Sequence, residues 1–530
     1  MAIMDTDMVV KRSNQLPVVV LLLSSLHVEA GEWEFSPITS LESTYTDNVR
    51  LNSTNHDSSL VNQLRVGINS NFNSRMVNGT VNATKIFTTY SHDHDLDDDF
   101  QTLSSNGKFN LWTNGPAIIA NASVNNVNSN RASNSLADIV SGDTTQFTTY
   151  GTGLEYNVTN SRYSLFSSIL YNISEADDDI GESKGYTATI NTQNGGSSRG
   201  LLWQLNASYI DRNNNGFTGR MHRVNGQVGL YTASGFSPFI RYYSEDSTGR
   251  VSSSRNTSSS SLGPGVRIKV TSHLDLDLSY NYTDDKQQGD DYVAVTINWQ
   301  PSANTSLIAD YDQRFFGESY SLRFNHKLKR LTNTVSYTEK IAVFERNNFQ
   351  QVLLGSFFCP IESNINNDIS SCLLASDTSI NLDEYIPIQL FELELIEDNE
   401  FSLNKVLSWN TALNLARTTF GFTLSNSERT SLATDRRNDS LNASLTISRK
   451  LSGKSDLSLV GSFNNQEFNR NNLIGVNQKD YYRTVTAAYN REFGHSSSMK
   501  FSIQKLDRDS SRAGMTYNET RATINITKDF

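Results

Sequence analysis

The chain has 530 residues, a formal net charge of −11 and only 37% hydrophobic side chains, with 10% aromatic residues and 8 Pro. The acidic balance excludes the basic face that nucleic acid requires, and the aromatic content excludes a disordered polymer. Much of the polarity is uncharged Asn, Ser and Thr, as expected of strands that are polar on one face.

The first element is an export signal. Lys11 and Arg12 precede the apolar run 16–26, and Val28-Glu29-Ala30 forms a small-residue cleavage site before Gly31. This is the three-part layout of a secretory signal peptide. Residues 1–30 are expected to be removed, with cleavage between Ala30 and Gly31, leaving 31–530 as the exported unit. Asp5 and Asp7 depart from a basic leader, and a start at Met8 would remove them. The run is too short to span a bilayer comfortably, and no Cys beside it suggests a lipid anchor. Beyond residue 30 no run of about 18 apolar residues occurs, so no transmembrane helix is expected. A secreted protein, a periplasmic protein and an outer-membrane barrel remain.

The exported part alternates with period two, the signature of strands with one apolar and one polar face. In HLDLDLSYNY (273–282), Leu274, Leu276, Leu278, Tyr280 and Tyr282 share one face, and Asp275, Asp277, Ser279 and Asn281 the other. YVAVTINW (292–299), SLNASLTI (440–447) and DLSLVGSF (456–463) repeat the pattern. Strands of about ten residues, repeated and separated by turn residues, predict an all-β fold: one large antiparallel transmembrane β-barrel. Counting connections gives about 24 strands, in a range of roughly 20–26.

The connections alternate in length. Short links are read at 271–275, 299–305, 327–333, 415–419, 449–456 and 491–497, and longer polar ones at 283–291, 344–397, 427–439, 467–480 and 507–514. In the first half, 91–99, 126–143, 175–183, 211–219 and 244–256 are read as long links, and 313–319 is of moderate length. Short periplasmic turns and long external loops produce this parity, whereas a soluble sandwich has no reason to obey it. Leu276→Arg is then expected to impair insertion, and Asp277→Asn to leave the barrel intact.

Few residues suggest chemistry. SHDHDLDDDF (91–100) carries Asp93, Asp95, Asp97 and Asp99, a weak candidate for a hard divalent cation; a solvated charged loop is the plainer account. YDQRFFG invites a substrate contact through Arg314 and Phe315, and a tight external turn explains it more simply. Cys359 and Cys372, the two cysteines, lie in the long loop 344–397 and are expected to form a disulfide in an exported protein. Such a bridge would stiffen a loop that caps or enters the pore, or simply protect it. No G-x-S-x-G or H-E-x-x-H motif occurs, and neither an enzyme nor a cofactor is expected.

The last strand, TRATINITKDF, puts Ile524, Ile526 and Phe530 on one face, interrupted by Lys528. A closing Phe on such a strand resembles the signal by which bacterial barrels are recognised for insertion. Two further regions carry a family resemblance. SLESTYTDNVRL (40–51) resembles the opening of barrels encoded in exopolysaccharide loci. In 309–339, Arg314 and Gly317, the turn His326, Lys327 and Arg330, and the ending Ser336, Tyr337 and Glu339 resemble the PEP-CTERM/exosortase system-associated outer-membrane β-barrel family, and 401–432 fits that family's next hairpin. The resemblance implies a barrel of the bacterial outer membrane tied to exopolysaccharide production, with an aqueous pore for polysaccharide export. A nonspecific diffusion porin and a structural or docking barrel without flux stay open beside it. Expected partners are outer-membrane lipids and lipopolysaccharide, the barrel assembly machinery, the polysaccharide and periplasmic export proteins.

Overall fold

A computed structural model describes residues 31–530 apart from 130–137, 141–143, 199, 215, 233–234, 250–256, 285–289, 344–347, 361–372, 375–384, 397–399, 470–477, 495 and 513. The signal segment 1–30, Ala30 included, and Cys372 lie outside the described residues, and at 348–360, where Cys359 sits, the backbone alone is described.

Twenty-four strands form one closed antiparallel sheet. The first, Glu32–Thr46, pairs with the second, Ser59–Asn73, and also with the last, Tyr517–Asp529. That second pairing, which runs from Ile38 opposite Asp529 to Thr46 opposite Arg521, removes the open edges. The expected barrel and its strand count are both met. Within the long loop, Asn348–Pro360, Leu373–Leu374 and Tyr385–Ile396 form a separate three-stranded sheet that the alternation did not announce.

The period-two pattern decides which face looks out. Leu41 is 52% exposed and lies between Leu64 and Ile526, whereas Thr44, three residues on, is buried. The same division holds along Leu274–Thr283: Tyr280 and Tyr282 are exposed, and Asp277, Ser279 and Asn281 are buried. The leucines therefore face outward. Exposed aromatics gather at two levels, Trp33, Tyr163, Phe236 and Phe493 near one rim and Tyr45, Tyr186, Tyr280 and Tyr282 toward the other. Two such girdles flank the apolar band of a transmembrane barrel.

The two rims differ as the parity predicts. At one, turns as short as 272–273, 303–304 and 453–454 join the strands; at the other lie 47–58, 91–97, 129–143, 249–257 and 344–400. Two links are tight turns: 211–219, read as a long link, and 313–319, read as of moderate length and as a tight external turn. Leu201–Asn214 resumes at Phe217, and Thr305–Arg314 resumes at Gly317 with Phe315 and Phe316 between them. The polar residues on either side still pair across the hairpin, Gln313 opposite Glu318, so the strands extend into what composition alone marks as loop. Gly317 closes that turn with φ 112°, which a side chain would resist.

The cross-section is not round. A Cβ at Gly263 would stand 1.9 Å from the Tyr280 carbonyl oxygen, and one at Gly153 the same distance from that of Ile169. Both glycines sit on the inner face, where missing side chains let the sheet turn a corner.

Candidate functional site in the barrel lumen

Residues of inward parity form two filled sectors and two open ones. The first filled sector is a lobe made by Phe236–Thr248, Ser258–Thr271, Leu274–Thr283, Tyr292–Ser302 and Thr305–Arg314. From its middle to the long-loop rim many of its inward side chains are buried, among them Arg241, Tyr243, Glu245, Ser261, Asp277, Asn281, Tyr292 and Arg314.

The lobe is closed because its first and last strands bond directly across the lumen, although three strands separate them in the sheet. Arg241 donates to both oxygens of Asp312, at 3.1 and 2.6 Å, and to Asn225 at 3.2 Å. One turn nearer the long-loop rim, Arg314 donates through Nε to Glu245 at 2.9 Å and through Nη2 to its other oxygen. Tyr243 donates to the same carboxylate at 2.7 Å, and Arg314 Nη1 reaches the Glu339 carbonyl at 3.1 Å. The Arg314 and Glu245 side chains are 3% and 0% exposed, so each charge depends on the other for its compensation. Deeper in the lobe, Arg267 forks onto Asp277 at 2.7 and 2.6 Å.

An apolar lid covers the lobe at the long-loop rim. Ile341, Val343, Phe401 and Leu403 carry the outward parity of their strands, yet they are buried in one cluster with inward-facing Met221. Ile210, Phe315 and Phe316 pack against the same cluster. The ends of Leu331–Val343 and Phe401–Asn414 therefore lean over the short Phe315–Phe316 tip and meet the inner face of the strands beyond it. Arg212 fastens this contact by donating to the Val343 carbonyl at 3.3 Å.

The second filled sector lies where the sheet closes on itself. Arg521 pairs with Asp138 from the link after Ala117–Asn128, and with Glu519 at 2.7 Å. Val49, Val61, Tyr90 and Val140 form one small core there, and Leu51 packs against Tyr482, Leu506 and Tyr517. Arg508 adds a 3.0 Å bond to Asp480.

Between these sectors the inner wall is open and mostly neutral. One open wall holds a cleft of about 380 Å³ lined by Asn78, Thr80, Asn106, Lys108, Ile119, Asn121 and Leu170, with Lys108 paired to Glu155 at 2.7 Å. The other holds a cleft of about 230 Å³ whose inward side chains are Ser, Asn and Thr with Tyr482 at one end.

The residues singled out by sequence fare differently. Asp93 bonds Arg50 at 2.7 Å, Asp97 accepts the Tyr90 amide at 2.7 Å, and Asp99 pairs with Lys85. Their carboxylates thus serve separate partners, the Asp95 side chain is outside the described residues, and no metal-ligand group forms among the described residues. Arg314 is not open to a substrate, because it is the buried end of the lobe's closure. Phe530 is 71% exposed, its amide donates to the Pro37 carbonyl at 2.9 Å, and Lys528 lies 5.6 Å from its ring. Sequence reasoning missed Arg241, Glu245 and Asp312. Their signal was available: successive inward positions Arg241, Tyr243 and Glu245 are bulky and charged, unlike the Ser and Asn at inward positions of 401–493.

The closed apolar-faced sheet defines the chain as a transmembrane β-barrel. A comparison with family models gives no match, and one with curated proteins gives none. Among solved structures, the siderophore receptor PirA from Acinetobacter baumannii matches with 9% identity over 95% of this chain and 81% of that one, at a TM-score of 0.44. The FrpB iron transporter from Neisseria meningitidis matches with 10% identity over 93% and 81%, also at 0.44. A loop-deleted OmpT, an outer membrane protein of Vibrio cholerae, matches with 8% identity over 95% and 100%, at 0.32.

Proposed function

We propose that this protein sits in the bacterial outer membrane, with the short turns in the periplasm, and provides an aqueous passage for exopolysaccharide. The supporting observation is the lumen's division of labour. Charged inner residues are concentrated in the filled sectors and paired there, while the open walls present chiefly hydroxyl and amide groups, with the Lys108–Glu155 pair and the apolar Ile119 and Leu170 in one of them. Those groups donate and accept, as sugar hydroxyls do. The resemblance of 309–339 to the PEP-CTERM-associated barrels belongs to the same reading. It brings lipopolysaccharide, the barrel assembly machinery and periplasmic export proteins as partners. The work assigned is passage, with no bond broken.

Conductance of the purified barrel in planar bilayers tests this. Channels blocked by the exopolysaccharide of the source cell support a dedicated exporter. Channels insensitive to it indicate a diffusion porin, and no channel activity indicates a docking barrel and refutes passage.

A further inference from the structure

The open wall formed by Phe401–Asn414, Thr418–Ser431, Arg437–Ser452, Ser455–Asn469 and Gln478–Phe493 is ordered beyond being polar. Strand register aligns its inward residues in rows that run across the strands. Ser408 lies opposite Ser425, Ser425 opposite Asn442, and Asn442 opposite Asn464. The next row toward the short-turn rim reads Asn410, Thr423, Ser444, Ser462 and Thr484. Every member of both rows is a neutral side chain able to hydrogen-bond.

Charge is absent from the middle of this wall. Among the described residues of these five strands, the inward charges nearest to the rows are Arg429 and Asp480 on the long-loop side and Lys450 and Asp456 on the short-turn side. The rows are also accessible: Asn410, Thr423 and Asn442 are exposed, and Ser408, Ser425, Ser444, Ser462 and Asn464 are half-buried. On the outer face of the same strands the neighbours include Trp409, Phe422, Leu445 and Val485, which are apolar, so the hydrogen-bonding rows face the lumen.

We infer that these two rows are a binding track for an uncharged, extended polysaccharide lying across the strands. Adjacent strands are spaced by about 4.8 Å, and rows on one face by roughly 6.7 Å. The first spacing is close to the length of one pyranose unit in an extended chain, so consecutive sugars would each lie over one strand. Each hydroxyl exchanged from water to a Ser, Thr or Asn contributes little by itself, about 0.5–1.5 kcal/mol. A chain can therefore be held by many such bonds and still slide. An anionic polymer would shed water against two rows that offer no cation in return, which disfavours it. The inference rests on the passage reading for its role, although binding can be measured without flux.

The test is calorimetric titration of the detergent-solubilised barrel with cellohexaose, a neutral hexasaccharide, and with hexagalacturonate, an anionic one. Cellohexaose is expected to bind at least about tenfold more tightly, a difference of about 1.4 kcal/mol. Asn410→Ala with Asn442→Ala is expected to weaken cellohexaose by about tenfold again. Thr423→Val removes one hydroxyl without changing shape and should weaken it measurably in a barrel that keeps its heat-modifiable mobility on gels. Equal binding of the two sugars, or no effect of these substitutions, overturns the track. Bilayer conductance is recorded separately. Channels without cellohexaose binding leave the passage reading standing and remove the track, whereas binding without channels keeps the track and removes passage.

Discussion

Glu245→Ala tests whether the lobe is held shut by its ion pairs. The substitution removes the acceptor of Arg314 Nε at 2.9 Å and of the Tyr243 hydroxyl at 2.7 Å. Arg314, 3% exposed, keeps the Glu339 carbonyl at 3.1 Å but loses its counter-charge. Removing one partner of a buried pair costs about 3–5 kcal/mol. The Arg241–Asp312 pair and the lid cluster remain, so the barrel should fold while the lobe opens far more often. At 1.4 kcal/mol per tenfold, the opened population rises by about two to three and a half orders of magnitude. A reporter sits inside the lobe: Ser261 is 1% exposed and bonded to Tyr292 at 2.9 Å. In a background with Cys359 and Cys372 changed to Ser, Ser261→Cys should resist a charged thiol reagent, and adding Glu245→Ala should accelerate its labelling by about a hundredfold or more. Glu245→Leu with Arg314→Met should restore protection, because a packed apolar pair replaces a buried ion pair at little cost. Equal labelling with and without Glu245 would refute the claim that this pair closes the lobe.

Other outcomes follow from the same geometry. Leu276→Arg puts a guanidinium on the outer face two residues inside the short-turn end of its strand; between the midplane and interface costs this is about 1–2 kcal/mol, and it should lower the folded fraction recovered in lipid vesicles. Asp277→Asn should leave the barrel intact, as alternation leads one to expect, but less stable. It weakens a two-bond fork to Arg267 and should cost about 1.5–3 kcal/mol in denaturant unfolding followed by Trp fluorescence. Gly263→Ala places a Cβ 1.9 Å from the Tyr280 carbonyl oxygen, so the corner must shift; a lowered thermal transition checks it, and an unchanged one would mean the corner is loose. Cys359 and Cys372 should resist alkylation in denaturant until a reductant is added, by mass spectrometry of the intact chain.

What could be read from sequence divides by the range of the interaction behind it. A strand's two faces are set by neighbouring residues, so Leu274, Leu276 and Leu278 opposite Asp275 and Asp277 announce a half-polar strand directly. Closure and strand count follow from many such segments and from the parity of their links. The lobe depends on pairs such as Arg241 with Asp312, whose partners lie on strands that are neighbours neither in sequence nor in the sheet. Alternation places each of these residues inward and is silent on how far apart the inner faces stand. For that reason alternation puts Asp277 on the polar face but does not show that it is a buried partner of Arg267. The aspartates of 91–99 show the converse: composition offered a shared cation site only as a weak candidate beside a solvated charged loop, and folding gives Asp93, Asp97 and Asp99 to Arg50, the Tyr90 amide and Lys85. Composition does retain one long-range signal. A wall that must stay wet can use small neutral residues row after row, whereas a wall that packs on another needs bulk and paired charge. The contrast between Ser408, Ser425 and Asn442 on one side and Arg241, Tyr243 and Glu245 on the other therefore separates open from filled lumen.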